Sequence, residues 1–311
     1  MKKILMILLI IAVSATIFAQ NDQQRFSRYI LANSELGYIT ILGGFGNLKP
    51  LWFEAKMVPN YLIRIRGNSR TGAVLTPKVI VRMYREESEP VATPSYLPQI
   101  TFYNQLKNFN PMKSNIFYLF GRIVHHSNGQ DGEFFNPDGS INTENGSFST
   151  NYLELGFFYA KLFSFHPNAT EFFRSSIEYH PESMQDKVLN DMYGNIRWHN
   201  DIQIFKFTRD AFTSIFSGKS ELENKTENLK ERPHLRAIVN STFIFGEMEG
   251  ADVFDFSKRF SGSILLSYNP KFLEDVRFFM QYYYGQDYYN IHFKNTLSVL
   301  RIGMIADPFG F

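Results

Sequence analysis

The sequence predicts an all-β chain closed into an antiparallel transmembrane barrel, and three observations carry that prediction. Apolar residues recur at every second position over short segments. An apolar leader opens the chain. No later stretch approaches the roughly 18 consecutive apolar residues that a membrane-crossing helix needs. With helices excluded, a closed barrel is the other structure able to span a bilayer, because it too pairs every backbone N–H and C=O internally. The composition agrees. At 44% hydrophobic and 20% charged residues the chain is neither disordered nor collagen-like. Its lack of cysteine removes disulfide stapling, thiol catalysis and Cys-ligated zinc.

Taken in chain order, residues 1–19 read as a secretory signal peptide. Lys2 and Lys3 supply a charged start, an apolar run covers residues 4–13, and small Ala19 precedes Gln20. A membrane-spanning helix is the competing reading, but the run is short and a polar stretch follows at 21–25. Residues 20–311 show no internal repeat and no linker, so they are expected to form one barrel domain. Once Lys2 and Lys3 leave with the leader, the 32 basic residues fall by two and match the 30 acidic ones, which argues against nucleic-acid binding.

Segment 78–84 sets Val79, Val81 and Met83 against Lys78 and Arg82. Segment 276–282 sets Val276, Phe278 and Met280 against Arg277 and Gln281. Segment 300–305 sets Leu300, Ile302 and Met304 against Arg301 and Gly303. Outward apolar and inward polar residues are what a lipid-facing wall requires, and 32 Phe and 17 Tyr are available for its interfacial girdles. A soluble β-sandwich alternates in the same way; the leader, the aromatic excess and a final Phe311, similar to the assembly signal of outer-membrane barrels, favour the barrel. Segments 129–147 and 217–233 are long, polar and turn-rich, as extracellular barrel loops are, and the second is a run of charges.

One stretch departs from the pattern. In 116–129, Phe117, Leu119, Gly121 and Ile123 share a face, opposite Tyr118 and Arg122. The same parity places His125 and Ser127 on the apolar face. After the long loop, Leu153, Leu155, Phe157 and Tyr159 define the apolar face of the next strand, opposite Glu154, and Asn151 falls on it too. Uncharged polar groups facing lipid are costly unless they pair, and Ser127, His125 and Asn151 stand in the order nucleophile, base, orienter. Ser127 needs a base to take its proton, and His125 needs a neighbour to hold one tautomer. A neutral Asn orients without placing a charge in lipid. His-x-Ser alone is weak, since most such pairs are ordinary surface residues. His126, on the opposite parity, reads as luminal, and His166, His180, His199, His234 and His292 lack metal-ligand spacing.

The segment His125-His126-Ser127-Asn128-Gly129 resembles the His-x-Ser-Asn-Gly motif of the outer membrane phospholipase A family. Segment 147–152 (Ser-Phe-Ser-Thr-Asn-Tyr) resembles that family's Ser-x-Ser-x-Asn element, and 94–99 and 288–307 are similar to two further family segments. The resemblance implies a twelve-stranded barrel in the bacterial outer membrane with its catalytic residues on the outer wall, hydrolysing acyl ester bonds of phospholipids, dependent on calcium and active as a homodimer. It implies Ser127 as nucleophile, His125 as base, Asn151 as orienter and the Gly129 N–H as an oxyanion donor. For calcium it implies Ser147, the carbonyl of Gln130 where the family carries Arg, and Ser88 of a partner copy. The loop before Ser147 is longer than the family's and holds further oxygen donors in Asp131, Glu133, Asp138, Asn142 and Glu144. The competing functions are a non-catalytic pore or structural barrel with a degenerate site and a secreted soluble lipase, the latter separable by membrane fractionation.

Overall fold

The computed structural model describes residue 30 and residues 33–64, 70–87, 91–106, 115–162, 170–205, 235–270, 272–273 and 275–306. The leader 1–19, Ser88, His166, His234, segment 217–233 and Phe311 lie outside the described residues. The strands are β1 (Gly37–Thr40), β2 (Leu51–Met57), β3 (Tyr61–Arg64), β4 (Thr71–Tyr84), β5 (Ser95–Gln105), β6 (Asn115–Ser127), β7 (Ser149–Leu162), β8 (Thr170–Tyr179), β9 (Ile196–Phe205), β10 (Leu235–Phe245), β11 (Phe260–Tyr268), β12 (Val276–Gln286) and β13 (Thr296–Ala306). From β4 to β13 each pairs antiparallel with its sequence neighbour, β13 pairs with β1, β1 with β2, and β2 with β4, so the sheet closes.

Thirteen strands make twelve staves. Met57 faces Val79 and Tyr61 faces Leu75, so β2 and β3 lie along β4 in one unbroken register. The break between them holds Pro59, which has no N–H to give to a ladder. Among the described residues no helix is long and apolar enough to cross a membrane.

Period-two patterning became wall structure as expected. On β13, Leu300, Ile302 and Met304 are exposed outward, while Arg301 and Ile305 are buried inward. Leu75, Phe102, Ile123, Leu155, Trp198 and Ile264 continue the outward apolar band around the barrel. An exposed apolar belt of this extent marks a surface built to meet something other than water.

The lumen is filled in two layers, one of which the sequence reading did not foresee. Its polar layer is a set of ion pairs: Arg82 with Glu54 at 2.7 Å and Asp287 at 2.8 Å, Arg122 with Glu154 at 3.0 Å, and Lys56 and Lys78 both with Glu35 at 2.8 Å. The other is apolar, with Val74, Tyr103, Ile116, Tyr118, Phe120 and Phe158 packed together and Tyr118 stacked on Phe158 at 4.6 Å. Inward positions are therefore not uniformly polar. Where the barrel interior is narrow enough for side chains to meet, apolar groups bury each other as well as ion pairs do.

Connections 128–148, 180–195 and 287–295 share one rim, where Phe134, Phe148, Leu189, Tyr193, Ile291 and Phe293 form a roof cluster. The ends of β9 and β10 that segment 206–234 joins lie at the opposite rim. The two long polar connections thus leave from opposite ends, which corrects the expectation that both are extracellular: strand count between them, not loop polarity, fixes the end.

Candidate active site

Strand β6 alternates cleanly. Tyr118, Phe120, Arg122, Val124 and His126 are buried, Leu119 and Ile123 are exposed outward, and His125 and Ser127 continue the outward row, half-buried near the rim. On β7 the outward residues are Leu153 and Leu155, and Asn151 shares their parity. His125 lies directly across the ladder from Asn151, and Ser127 across from Ser149 on one side and Tyr96 on the other.

His125 Nδ1 is 2.9 Å from Asn151 Oδ1. The Asn151 amide is itself held, because its Nδ2 donates to the Met184 carbonyl at 2.7 Å. With Nδ2 so committed, Oδ1 faces the imidazole and accepts from Nδ1–H, which leaves the lone pair on Nε2. Ser127 sits one pleat further along the same face, about 7 Å of strand from His125. Among the described residues no hydrogen bond joins Ser127 to His125, so the structure brings His125 and Asn151 together and leaves the Ser127 hydroxyl further along the row.

Beyond Ser127 the backbone turns sharply. Gly129 has φ +70°, and a Cβ there would meet the Tyr96 ring at 3.4 Å. Among the described residues the Gly129 N–H meets no acceptor. The turn is clamped from inside by Asn128, a buried residue of the motif to which sequence reasoning assigned no role of its own. Asn128 Nδ2 donates to the Gly146 carbonyl at 2.8 Å, and Asn128 Oδ1 accepts from Phe148 N at 3.0 Å and Gln130 N at 3.3 Å.

The long loop brings Ser147 back beside its own start. Gly132 N donates to the Asn145 carbonyl at 3.1 Å and Ser147 N to the Gly132 carbonyl at 2.8 Å, so the chain returns beside the point where it left. Gly132 and Gly146 make that crossing, each with room for no Cβ: added atoms would come within 2.4 Å of the Asn145 and Asn142 carbonyls. Gln130 and Ser147 therefore lie on adjacent segments.

Among the described residues no group of three or more His, Asp or Glu is arranged to hold a metal. A cation here would draw on carbonyl and hydroxyl oxygens, the donor set that Gln130 and Ser147 present and that suits a hard ion such as calcium. The insertion's other oxygens are partly spent on their own turns: Asp138 accepts from the Ser140 hydroxyl and amide, which pulls its carboxyl below the ordinary value, and the Asn142 side chain ties to Asn145 and Glu133. Asp131, Glu133 and Glu144 are exposed.

The other histidines stand apart from the site chemistry. His126 is buried inward, its Nε2 2.7 Å from Ser95 Oγ. His180 bonds Thr150 at 2.8 Å and Glu178 at 2.7 Å, and His199 bonds Thr242 at 2.8 Å. Two residues that the sequence left unremarked, Met184 and Asp186, touch β7 at the site. Their signal was not readable, because one acts through its backbone carbonyl and both sit in a connection whose path no strand period fixes.

Comparison with known proteins bears on the fold. No family model matches the chain, and no curated protein matches it. Among solved structures, an active-site mutant of the outer membrane phospholipase A from Escherichia coli is similar at a TM-score of 0.53, with 12% identity, over 89% of this chain and 90% of that one. A further structure of the Escherichia coli phospholipase gives a TM-score of 0.48, 14% identity and 83% and 80% coverage. The outer membrane phospholipase of Salmonella typhi, described as a dimer with bound calcium, gives 0.46, 15%, 83% and 79%. At such identities the likeness is one of architecture: this chain is a closed, twelve-stave antiparallel barrel of the kind the Escherichia coli enzyme also forms.

Proposed function

We propose that this protein is a calcium-dependent phospholipase A of a bacterial outer membrane, working through Ser127, His125 and Asn151 on the lipid-facing wall. The observation that carries the reading is the 2.9 Å contact between His125 and Asn151 on the outward face, with Ser127 next along the same row. Polar groups facing lipid are costly unless paired, and a histidine held by an amide with a hydroxyl next along the row is the residue set that ester hydrolysis uses. The leader, the apolar outer band and the fold shared with a phospholipase support the same location and class.

In this reading Ser127 Oγ attacks the ester carbonyl as His125 Nε2 takes its proton, forming a tetrahedral intermediate that expels the lysophospholipid, to which His125 returns the proton. Water then attacks the acyl-serine by the same route and releases a fatty acid. Asn151 Oδ1 keeps the proton on Nδ1 throughout. The Gly129 N–H, free of other acceptors, donates to the oxyanion. Ser147 Oγ and the Gln130 carbonyl would hold calcium, with Ser88 of a second copy as a further ligand and water completing the shell. Bound there, the ion would supply positive charge that stabilises the oxyanion.

Purified barrel in mixed phospholipid–detergent micelles with calcium is expected to release fatty acid. Ser127→Ala or a calcium chelator should reduce release to background, and cross-linking should trap a homodimer under active conditions. Wild-type protein that releases none, at concentrations where the dimer is trapped, would overturn the proposal. The missing Ser127–His125 hydrogen bond favours the second reading, a non-catalytic barrel that keeps the motif, and the same assay decides between them.

A further inference from the structure

We infer that residues 184–186 of the β8–β9 connection position the site, and that Asp186 anchors them; the inference rests on the hydrolase reading above. On its β6 side, the outer end of β7 is fully paired: Ser149, Thr150 and Asn151 face Ser127, His126 and His125. On its other side β8 stops at Tyr179, opposite Leu153. Residues 149–151 therefore have an edge that β8 does not cover, and three residues from the loop take the missing place. Asp186 N donates to the Ser149 carbonyl at 2.9 Å, and Ser149 N donates to Asp186 Oδ2 at 2.7 Å. Gln185 bridges Thr150, with Thr150 Oγ1 donating to Gln185 Oε1 at 3.3 Å. Met184 then presents its carbonyl to Asn151 Nδ2 at 2.7 Å.

The last contact sets the chemistry. A free Asn amide can offer His125 either its oxygen or its NH2, and the two choices select opposite imidazole tautomers. A backbone carbonyl only accepts, so Met184 compels Nδ2 to face it and Oδ1 to face His125. Nδ1 then keeps the proton, and Nε2 is left as the basic nitrogen. Asp186 contributes two of the bonds that hold this carbonyl in place, and it does so without approaching the reacting atoms. It is a positioning residue, and its carboxylate acts on the tautomer of His125 through the loop and Asn151.

The test compares wild type, Asp186→Ala and Asp186→Asn as full-length barrels in calcium-containing mixed micelles. Two quantities are read: kcat and KM for fatty-acid release, and the ring-nitrogen NMR shifts of His125 in histidine-labelled protein, assigned by their loss in His125→Gln. Asp186→Ala should lower kcat by about 10- to 100-fold with KM within about two-fold, and convert His125 from an Nδ1–H tautomer to a mixture. Asp186→Asn keeps an acceptor for Ser149 N–H and should restore both. Equal kcat and equal ring shifts in Asp186→Ala and wild type would overturn the inference. So would a wild-type His125 protonated on Nε2, a result that stands even if the alanine variant fails to fold. If wild type shows no hydrolysis, the hydrolase reading falls, whereas the ring shifts still report whether Asp186 governs the tautomer.

Discussion

At the scale of single residues, Asn151 illustrates how one side chain is fixed from two sides. Its oxygen serves His125 and its nitrogen serves Met184. Asn151→Ala should lower kcat by about 10- to 100-fold, by releasing the imidazole, while KM changes little. Asn151→Asp places a carboxylate oxygen against the Met184 carbonyl, and urea unfolding in lipid vesicles should show it about 1–3 kcal/mol less stable than wild type. Asn128 makes a parallel case on the inner side. Asn128→Ala strands the Gly146 carbonyl and the Phe148 and Gln130 amides, so the calcium concentration needed for half-maximal activity should rise. That His125 and Asn151 share a face was legible from parity, since a period of two fixes it; that they pair followed only when the cost of unpaired polar groups and their place near the loop end were added. The grip of Met184 and the clamp of Asn128 were not, because both run through backbone groups whose positions depend on how a loop folds back.

At the scale of elements, β7 separates two environments along one strand. Glu154 is buried inward, bonded to Arg122 at 3.0 Å and Ser176 at 2.6 Å, while its neighbour Leu155 is exposed outward. Leu155→Arg should cost about 2–4 kcal/mol in vesicles if the residue lies near the bilayer midplane, and much less in detergent micelles, where the head can reach water. Comparing urea unfolding in the two media checks this. The alternating segments 78–84 of β4, 276–282 of β12 and 300–305 of β13 were readable in advance. The break between β2 and β3 was not, because a register continuous across Pro59 is a property of the partner strand. The aromatic layer formed by Tyr103, Tyr118, Phe120 and Phe158 was also hidden, since inward apolar residues blur the very alternation used to find a strand.

At the scale of the whole molecule, ion pairs, aromatic packing and the roof cluster fill the interior, so the barrel should show no steady conductance in a planar bilayer; an open channel of defined conductance would contradict the packing. The rim should respond to acid. Burial beside Arg197 pulls His180 from the ordinary 6.5 to about 4, so the fold holds its neutral form. A depressed value of this kind means that stability is complete above pH 6.5 and is lost as pH falls toward 4, where the unfolded chain binds the proton more readily. The urea midpoint should drop across that window, and His180→Gln should flatten the drop.

The outward placing of His125, Ser127 and Asn151 also dictates how the proposed hydrolase would be fed. Substrate and product would travel sideways in the leaflet, so turnover would follow the surface fraction of phospholipid rather than its bulk concentration. Diluting the film with an inert amphiphile would starve the protein while the total amount of lipid in the tube stayed constant.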